Sequence, residues 1–313
     1  MIGPLVHPRR YPPSREPRPP HWERWVKVPF GLAVERLCAP LVRWDPAELR
    51  VPEIAVRVRG LGAAFAGYRI ALVTDLHHSR AVPTWWLNEV AARTTALTPD
   101  LVALGGDFVS HSRGELTGLS GPLRRFAGAG RDGAVAVLGN HDHWVDAEAV
   151  VATLAACGID VLLNRHRLVR RDGEVLAVAG VDDFSHGAVR LDDALAGVAA
   201  AAPRVVLSHN PDLIEYLPPG LRVDVMLSGH THNGQLHWPL IGPLTVPSQF
   251  GGRYLHGLKQ VGETWLYVSA GVGTSAIPFR WGNPPELPVI RLEADGEADA
   301  KTLRRQVDLR VEG

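Results

Sequence analysis

Five short polar segments, spread over about 160 residues, carry side chains with the oxygen and nitrogen atoms that bind divalent metal ions. Each segment follows a compact apolar run, such as IALV before Thr74 and VAVL before Gly139, as is typical at the end of a buried strand. Because ligands of α/β proteins gather at the carboxyl ends of strands, we predict that five strands deliver these side chains to one edge of a sheet. The segments are TDLHH (74–78), GGDFV (105–109), GNHDH (139–143), SHNP (208–211) and SGHTHNGQ (228–235).

Together the segments supply the ligands that a pair of metal ions requires. Any one of these residues alone is more typical of a helix cap or a hydrogen-bonded polar side chain. Two ions about 3.5 to 4 Å apart need a bridging carboxylate, further anionic and imidazole ligands, and open positions for water and substrate. Because four of the candidates are imidazoles, the set favours Mn, Fe or Zn over Mg or Ca, with manganese preferred. The candidate metal ligands are Asp75, His77, Asp107, Asn140, His209, His230 and His232.

Two pairs of candidate ligands have the same spacing. Asp75 and His77 are two residues apart, and so are His230 and His232. In an extended segment, side chains at this spacing leave the same face of the chain, as Asp75 and His77 must to reach one ion, and His230 and His232 repeat that geometry. The two pairs can then approach the metals from opposite sides.

The chain from about residue 51 alternates apolar strand-like runs with helix-like segments, which predicts an α/β domain. Helices are expected to begin at Thr84 as an N-cap and near Asp146, Asp192 and Pro211. Beyond Gly242 the composition turns to glycine, proline and aromatic residues, and we expect this end to be all-β and to form a second sheet that closes the fold. The predicted strands are 54–58, 70–73, 101–104, 135–138, 175–179, 205–207 and 225–227, followed by 252–257, 264–269 and 288–292.

The N-terminal part of the chain differs from the rest. Its first 20 residues hold seven prolines and are expected to be extended or disordered, and residues 1–44 contain eight basic but only three acidic residues. An apolar stripe with helical spacing follows, which we expect to begin at Pro29 and to end or kink near Pro40. This helix lies either on an anionic membrane surface or against the catalytic domain, and the stripe alone does not separate the two. The stripe consists of Phe30, Val34, Leu37, Leu41 and Trp44.

Whole-chain composition excludes several classes of protein. With 313 residues, 46% of them hydrophobic, and 33 basic against 33 acidic residues, the chain is an ordinary globular protein whose net charge does not favour a nucleic-acid partner. Cys38 and Cys157 form no disulfide framework, and we find neither a secretion signal nor an apolar stretch of membrane-spanning length. We therefore expect a cytoplasmic protein, or one peripheral to the inner face of the membrane. The predicted organisation is an arm and helix (1–50), a catalytic domain (51–298) and a tail (299–313).

The order of motifs, D-x-H, GD-x-V, GNHD, H and GH-x-H, resembles the calcineurin-like metallophosphoesterase family, over roughly residues 70–291. In particular, GHTHNGQL (229–236) and LYVSAGVGTSAIPFRWGNPPELPVIRL (266–292) are similar to the bacterial phosphodiesterase branch that includes hydrolases of UDP-2,3-diacylglucosamine-type lipids. The last motif usually has a glycine where this chain has Asn233. Because Asn tolerates left-handed backbone angles well, the turn is expected to persist.

The resemblance implies a four-layer αββα sandwich of two mixed β-sheets flanked by helices, with a dinuclear metal site at the carboxyl-terminal edge of the strands. It implies a phosphoric ester hydrolase in which a hydroxide between the metals attacks phosphorus in line. It also implies that His141 is catalytic, because it matches the imidazole that steadies the phosphoryl oxygens and protonates the leaving group. Asp142 is interpreted as structural. The implied ligands are Asp75, His77 and His232 for the first metal, Asn140, His209 and His230 for the second, and Asp107 as the bridge.

The substrate is less well defined by the sequence. A phosphodiester or pyrophosphate, in particular a lipid or nucleotide-lipid, is the leading hypothesis, because aromatic residues near the motifs could line an acyl-chain groove, although core packing explains most of them equally well. A phosphomonoesterase acting on nucleotides or phosphoproteins would use the same metals. A nuclease would need a basic groove, and a catalytically silent binding scaffold would usually have lost ligands. The aromatic residues are Trp85, Trp86, Trp144, Trp238, Phe279 and Trp281.

Five further polar residues near the motifs are weaker candidates. His78, His143 and His237 could reach substrate, but hydrogen-bonded or exposed histidines are more common. Asp182 and Asp183 follow a predicted strand and are interpreted as loop caps.

Overall fold

The computed structural model describes residues 22–238 and 241–295. Within these residues the chain forms fourteen strands and six α-helices, with short 3₁₀ turns between them. The predicted extended arm (1–20) and tail (299–313) lie outside the described residues. The helices are α1 (Trp22–Cys38), α2 (Thr84–Ala96), α3 (Ser120–Ala129), α4 (Asn140–Val145), α5 (Ala147–Ala156) and α6 (Leu191–Ala194).

Two six-stranded mixed sheets form the centre of the fold. The first has the spatial order β1-β14-β2-β3-β4-β5, in which only β14 and β2 are antiparallel neighbours. Its strands are β1 (Glu53–Val58), β2 (Arg69–Val73), β3 (Leu101–Leu104), β4 (Ala134–Ala136), β5 (Asp160–Val161) and β14 (Val289–Ala294).

The second sheet has the order β12-β13-β9-β8-β7-β6, with a parallel centre and an antiparallel strand at each edge. Its strands are β6 (Arg165–Arg171), β7 (Glu174–Gly180), β8 (Arg204–Leu207), β9 (Val225–Ser228), β12 (Gly257–Val261) and β13 (Thr264–Val268). A small hairpin of β10 (His237–Trp238) and β11 (Gly242–Pro243) stands apart from both sheets.

Side-chain alternation along the strands creates the four layers. Ile70 and Leu72 of β2 pack between the sheets with Val205 and Leu207 of β8, whereas Val73 faces the helical layer. The outer face of the first sheet packs on α2, α3 and α5, and the outer face of the second packs on α6 and the turn that follows β8. The predicted αββα sandwich is therefore confirmed.

The seven strands predicted before residue 230 are confirmed, with ends that differ by one or two residues. Helix α2 begins at Thr84, but Pro83 rather than Thr84 occupies the cap, and the segment from Pro211 is a 3₁₀ turn instead of an α-helix. Near Asp146 the prediction holds, since the Asp146 side chain accepts a hydrogen bond from the Ala149 amide at the start of α5.

Among the described residues the carboxyl end is all-β as expected, but it does not form a separate closing sheet. Residues 252–257 are not a strand, because Gly251–Tyr254 form a 3₁₀ turn. The other two predicted strands go to different sheets: β13 pairs with β9 in the second sheet, whereas β14 lies between β1 and β2 in the first. A strand chooses its neighbours through contacts that are remote in sequence, so local composition did not reveal this.

Helix α1 packs against the catalytic domain instead of standing free. The helix does end at Cys38, close to Pro40, but it starts at Trp22 and carries Pro29 in its interior. A proline removes one backbone hydrogen bond and bends a helix without always ending it. Among the described residues, no helix has both the length and the hydropathy needed to cross a bilayer.

Candidate metal centre

The predicted ligands meet where the carboxyl ends of the two sheets come together. The loops after β2, β3 and β4 come from the first sheet, and those after β8 and β9 come from the second. All seven candidate residues are buried or nearly so. The structure therefore brings together the seven side chains that the sequence motifs singled out.

Asp107 lies at the centre of the cluster. Its Oδ2 atom is 3.4 Å from Nε2 of His77 and 3.3 Å from Nε2 of His209, so histidines from both sheets face one carboxylate oxygen. On one side Nε2 of His232 lies 3.1 Å from Nε2 of His77 and 3.4 Å from Oδ1 of Asp75. On the other side Nδ1 of His230 lies 3.2 Å from Nε2 of His209.

Asn140 contributes an amide oxygen from the first residue of α4. Its side chain is buried, and Oδ1 has no hydrogen-bond partner among the described residues. A buried polar atom without a partner costs free energy, and a bound cation would satisfy this one.

The donor set fits divalent cations. Asp75 and Asp107 are both buried, and burying two carboxylates without a countercharge is expensive. Groups of ligand atoms from these residues lie close enough to share an ion: Asp75 with His77 and His232, and Asp75 with Asp107 and His209. Imidazole nitrogens mixed with carboxylate oxygens suit Mn, Fe or Zn.

Hydrogen bonds outside the ligand cluster orient its members. The ring Nδ1 of His209 donates to the Gly105 carbonyl at 2.8 Å, which leaves Nε2 directed at Asp107. The carboxylate of Asp142 accepts from the backbone amides of Asp107, Phe108 and Gly139 at 2.8 to 2.9 Å. Asp142 thus holds the β3 and β4 loops together, which agrees with its interpretation as structural.

Burial and charge shift the pKa values in this cluster. Burial raises the pKa of Asp75 and would raise that of Asp107, but the charge of His209 and hydrogen bonds from His209 and His77 hold the Asp107 pKa well below its usual range. Burial alone would lower the pKa of His209, whereas the Asp107 carboxylate raises it to about 10. Asp107 and His209 therefore form a charged pair in the protein without metal.

The backbone at the ligand positions differs from the extended conformation expected from their spacing. The φ angles are 57° at Asp75, 45° at His77, 54° at Asp107, 71° at His230 and 51° at His232. These values lie in the left-handed region, which non-glycine residues rarely adopt. Both ligand pairs still converge, but through tight turns. The left-handed angle expected at Asn233 is present, with φ 48°.

His141 lies beside the ligands with one ring nitrogen fixed and the other facing the pocket. Its Nδ1 donates to the Ser110 carbonyl at 2.8 Å, and its Nε2 lies 3.3 Å from Oγ of Ser275. The ring meets His77 edge to face at 4.7 Å and contacts Trp144 at 4.3 Å between centroids. Burial lowers the pKa of His141 to about 3, so its imidazole is neutral at pH 7 in the protein without metal.

A pocket of about 700 Å³ opens next to the cluster and is lined by Asp107, Asn140, His141, His230 and His232. Of the six aromatic residues predicted to line a groove, only Trp144 is among its described lining residues. Trp86 is fully buried in the core, where it stacks on Trp44, and the other four are more than 40% exposed outside the pocket. Among the described residues, the groove that these six could line thus contains only Trp144, core packing accounts for Trp86, and neither alternative describes the other four.

The residues that do complete the pocket come from segments without a metal motif. They include His111, His186, Ser275, Ile277 and, from helix α1, Phe30. Gln235 ends the last motif and fixes the 275–279 loop. Its side-chain oxygen accepts from the Ser275 amide, and its side-chain nitrogen donates to the carbonyls of Ser275, Ile277 and Phe279. Gln235 could have been noticed from the sequence, because it belongs to the last metal motif. Phe30 lies far from every motif, so nothing in the sequence pointed to its place in the pocket.

The weaker candidates are hydrogen-bonded as expected and do not line the pocket. His78 bonds Thr84 and the Glu115 carbonyl, His143 bonds Asp182 at 2.7 Å, and His237 bonds the Asn233 carbonyl. The Asp182 and Asp183 side chains accept from backbone amides of residues 183–188, so their interpretation as loop caps is confirmed.

The chain is similar to known phosphoesterases. A family model described as calcineurin-like phosphoesterase matches residues 68–234. Phosphodiesterase YaeI of Escherichia coli is 34% identical over 234 residues, covering 72% of this chain and 83% of YaeI. The uncharacterized metallophosphoesterase YkuE of Bacillus subtilis is 29% identical and covers 80% of this chain and 87% of YkuE. The NAD nucleotidase structure from Haemophilus influenzae has a TM-score of 0.45 and 16% identity, covering 66% of this chain and 45% of its own.

Proposed function

Because the chain belongs to the calcineurin-like phosphoesterase family and is a metal-dependent phosphoester hydrolase, we propose that it cleaves phosphodiesters or pyrophosphates. The observation that carries the proposal is the convergence of two carboxylates, four imidazoles and one amide oxygen beside an open pocket. The 34% identity to a phosphodiesterase supports diester over monoester cleavage.

We further propose which residues hold the two ions. Asp75, His77 and His232 would hold one, Asn140, His209 and His230 the other, and Asp107 would contact both. The short separations on each side of Asp107 support this division. Manganese is the proposed ion. Two such ions, when bound, lower the pKa of water and neutralise charge that develops on phosphoryl oxygens.

The chain's own groups then position the ester. His141, fixed through the Ser110 carbonyl, presents Nε2 to the pocket and is proposed, once protonated beside the anionic ester, to contact a phosphoryl oxygen and to assist the leaving group. Ser275 lies close enough to that nitrogen to hold its orientation. The surrounding apolar side chains limit access of water to the bound ester.

A phosphodiesterase assay with chelator-treated protein tests the proposal. We expect restored Mn to support cleavage of bis(p-nitrophenyl) phosphate at a higher initial rate than cleavage of p-nitrophenyl phosphate. Preference for the monoester would favour the phosphomonoesterase alternative. Absence of metal-restored turnover on either compound would contradict the proposal and favour a catalytically silent scaffold.

A lipid-linked substrate and contact with a membrane surface are proposed as the setting of this reaction. Residues 51–298 would form the catalytic unit, and the basic arm and helix of residues 1–50 would meet the lipid. Leu37 of α1 and Leu41, in the short turn after this helix, support the membrane contact, because each side chain is 78% exposed.

Liposomes with anionic lipids test the membrane contact. The double variant Leu37→Glu/Leu41→Glu should lose binding in a sedimentation assay, because it places two charges against the bilayer. Val51→Glu, which changes an exposed apolar residue beyond the helix, is the control. Equal binding of the double variant and the wild type would refute a membrane role for this surface.

A further inference from the structure

Helix α1 is fixed to the catalytic domain by buried contacts on one face. Glu35 is 5% exposed, and its carboxylate accepts a hydrogen bond from the Ala81 amide at 3.1 Å. Just after the helix, the Trp44 indole donates to the Ala81 carbonyl at 2.7 Å and stacks on Trp86. These contacts hold the helix in one place relative to the loop that follows β2.

One turn before Glu35, the helix approaches the pocket closely. Gly31 is buried, and a Cβ atom at this position would lie 2.9 Å from Nε2 of His111, so the helix backbone packs directly against the His111 ring. This close approach brings Phe30 to the pocket, where it and Gly31 are lining residues together with Asp107, Asn140 and His232. A residue from outside the motif region therefore faces the same space as the candidate metal ligands.

The pocket beyond the ligands is suited to an apolar group. Phe30, Trp144, Leu236, Val246 and Ile277 line it, and among its described lining residues there is no lysine or arginine. Phe30 is 67% exposed, so its ring has free surface to cover a ligand. A strongly anionic group would find no lysine or arginine among the described residues of this wall, whereas an alkyl or aryl group would lose water-exposed surface there.

We propose that Phe30 is a specificity-determining residue, and that helix α1 forms a wall of the substrate pocket which selects phosphodiesters with an apolar alcohol. This inference rests on the proposed phosphodiesterase function. The reacting phosphorus lies at the metal cluster, and the apolar alcohol extends along the wall that Phe30 completes. Helix α1 thus takes part in substrate selection as well as packing against the catalytic domain.

Two esters with the same leaving group test the selectivity. Methyl p-nitrophenyl phosphate and octyl p-nitrophenyl phosphate differ only in the retained alcohol, and both are assayed with the full-length, Mn-restored protein below the concentration at which the octyl ester forms micelles. Phe30→Ala should raise KM for the octyl ester roughly tenfold, with kcat little changed, the size of effect expected for a lost apolar contact in a specificity pocket. The methyl ester should be cleaved as by the wild type.

Leu37→Ala is the matched control, because it removes an exposed apolar side chain from the same helix that does not line the pocket. It should leave both esters unaffected. A readout independent of turnover is isothermal titration calorimetry of octyl phosphate and methyl phosphate, the products of the two esters, with the Mn-restored protein. Phe30→Ala should raise the dissociation constant of octyl phosphate roughly tenfold and leave that of methyl phosphate unchanged.

The outcomes separate this inference from the function on which it rests. If the wild type cleaves neither ester after metal is restored, the proposed function fails. If it cleaves both but does not prefer the octyl ester, or if Phe30→Ala leaves the octyl KM unchanged, the function stands and the role of Phe30 is refuted. An equal effect of Phe30→Ala and Leu37→Ala would also refute it, since the effect would then belong to the outer helix surface.

Discussion

Five candidate ligands hold their side chains in place through left-handed backbone angles that cost about 1 to 2 kcal/mol each in an unrestrained chain. Hydrogen bonds between the loops hold these angles: the Asp75 amide donates to the Gly106 carbonyl at 3.0 Å, and the His77 amide donates to the Asp107 carbonyl at 2.9 Å. The Asp75 carbonyl in turn accepts from Gly273 at 2.8 Å. The ligands are therefore arranged before any ion binds.

Asp107 is the residue on which this arrangement most depends. Asp107→Asn keeps the size of the side chain and an oxygen for the His141 amide, but removes the charge that both sets of histidines face. Metal-dependent turnover should fall by more than roughly 100-fold, because loss of a residue that only hydrogen-bonds to a metal ligand can already lower activity by that factor. Circular dichroism should be unchanged. Normal turnover would contradict the assignment, and Asp192→Asn, at an exposed site, should behave as wild type.

His141 should separate catalysis from metal binding. Because its ring contacts the ligand cluster but its Nδ1 is bound to the Ser110 carbonyl, His141→Ala should leave metal content nearly intact and lower kcat by roughly 100-fold or more. Metal content is measured by mass spectrometry of the dialysed protein. His143→Ala removes an imidazole from the same helix that bonds Asp182, outside the pocket, and should retain the rate. Equal kcat values for the two variants would argue against a catalytic His141.

At the scale of elements, strand ends and the turns after them set the spacing of the ligands. Gly139 sits between β4 and α4, where an added Cβ would lie 2.7 Å from the Asp107 amide nitrogen. The β4 loop can approach the β3 loop this closely only because position 139 has no side chain. The same approach brings the Gly139 amide to the Asp142 carboxylate.

Gly139→Ala should therefore push the two loops apart. We expect metal affinity to fall about 10- to 100-fold and the protein to lose about 1 to 3 kcal/mol of stability. Metal titration and urea unfolding measure the two effects. Gly128→Ala in α3, where a Cβ meets nothing within 4 Å, should be neutral or stabilising. Similar behaviour of the two alanine variants would show that the loops tolerate separation.

The local sequence predicted the strands that consist of apolar runs. It did not predict features that depend on contacts between segments far apart in the chain. The central strands β2, β3, β8 and β9 were visible because each is a compact run of buried residues. Strand β6 reads RHRLVRR and was missed, since an edge strand buries few side chains. The position of β14 and the contribution of α1 to the pocket depend on packing between distant segments, which no local pattern contains.

At the scale of the whole molecule, the candidate metal centre joins the two sheets, because Asp107 follows a strand of the first and His209 a strand of the second. An ion that binds only the folded protein stabilises it by mass action. Manganese at about 100 times its dissociation constant should add about 2.7 kcal/mol. Calorimetry should thus show a higher melting temperature for wild type but not for Asp107→Asn. An equal rise in both proteins would place the stabilising ion elsewhere.

Glu286 joins the same two sheets without metal. It lies just before β14 of the first sheet, and its carboxylate accepts from the Tyr267 hydroxyl on β13 of the second, from the Ala270 amide at 2.8 Å and from His256 at 2.8 Å. Burial would raise the pKa of Glu286, but the hydrogen bond and charge of His256, with the other donors, hold that pKa below its ordinary value of 4.5. The folded protein therefore favours the charged form.

A lowered carboxyl pKa contributes stability that is complete above the unfolded value of 4.5 and is lost as the pH falls through the folded value. Glu286→Gln should accordingly cost about 2 kcal/mol at pH 7, and its deficit relative to wild type should shrink as the pH falls below 4.5. Urea unfolding of chelator-treated proteins over a pH series measures this difference without metal binding. Glu263→Gln breaks an exposed pair with Arg59 and should cost less than about 1 kcal/mol at every pH. A Glu286→Gln deficit that stayed constant with pH would mean that the side chain acts through packing and not through its charge.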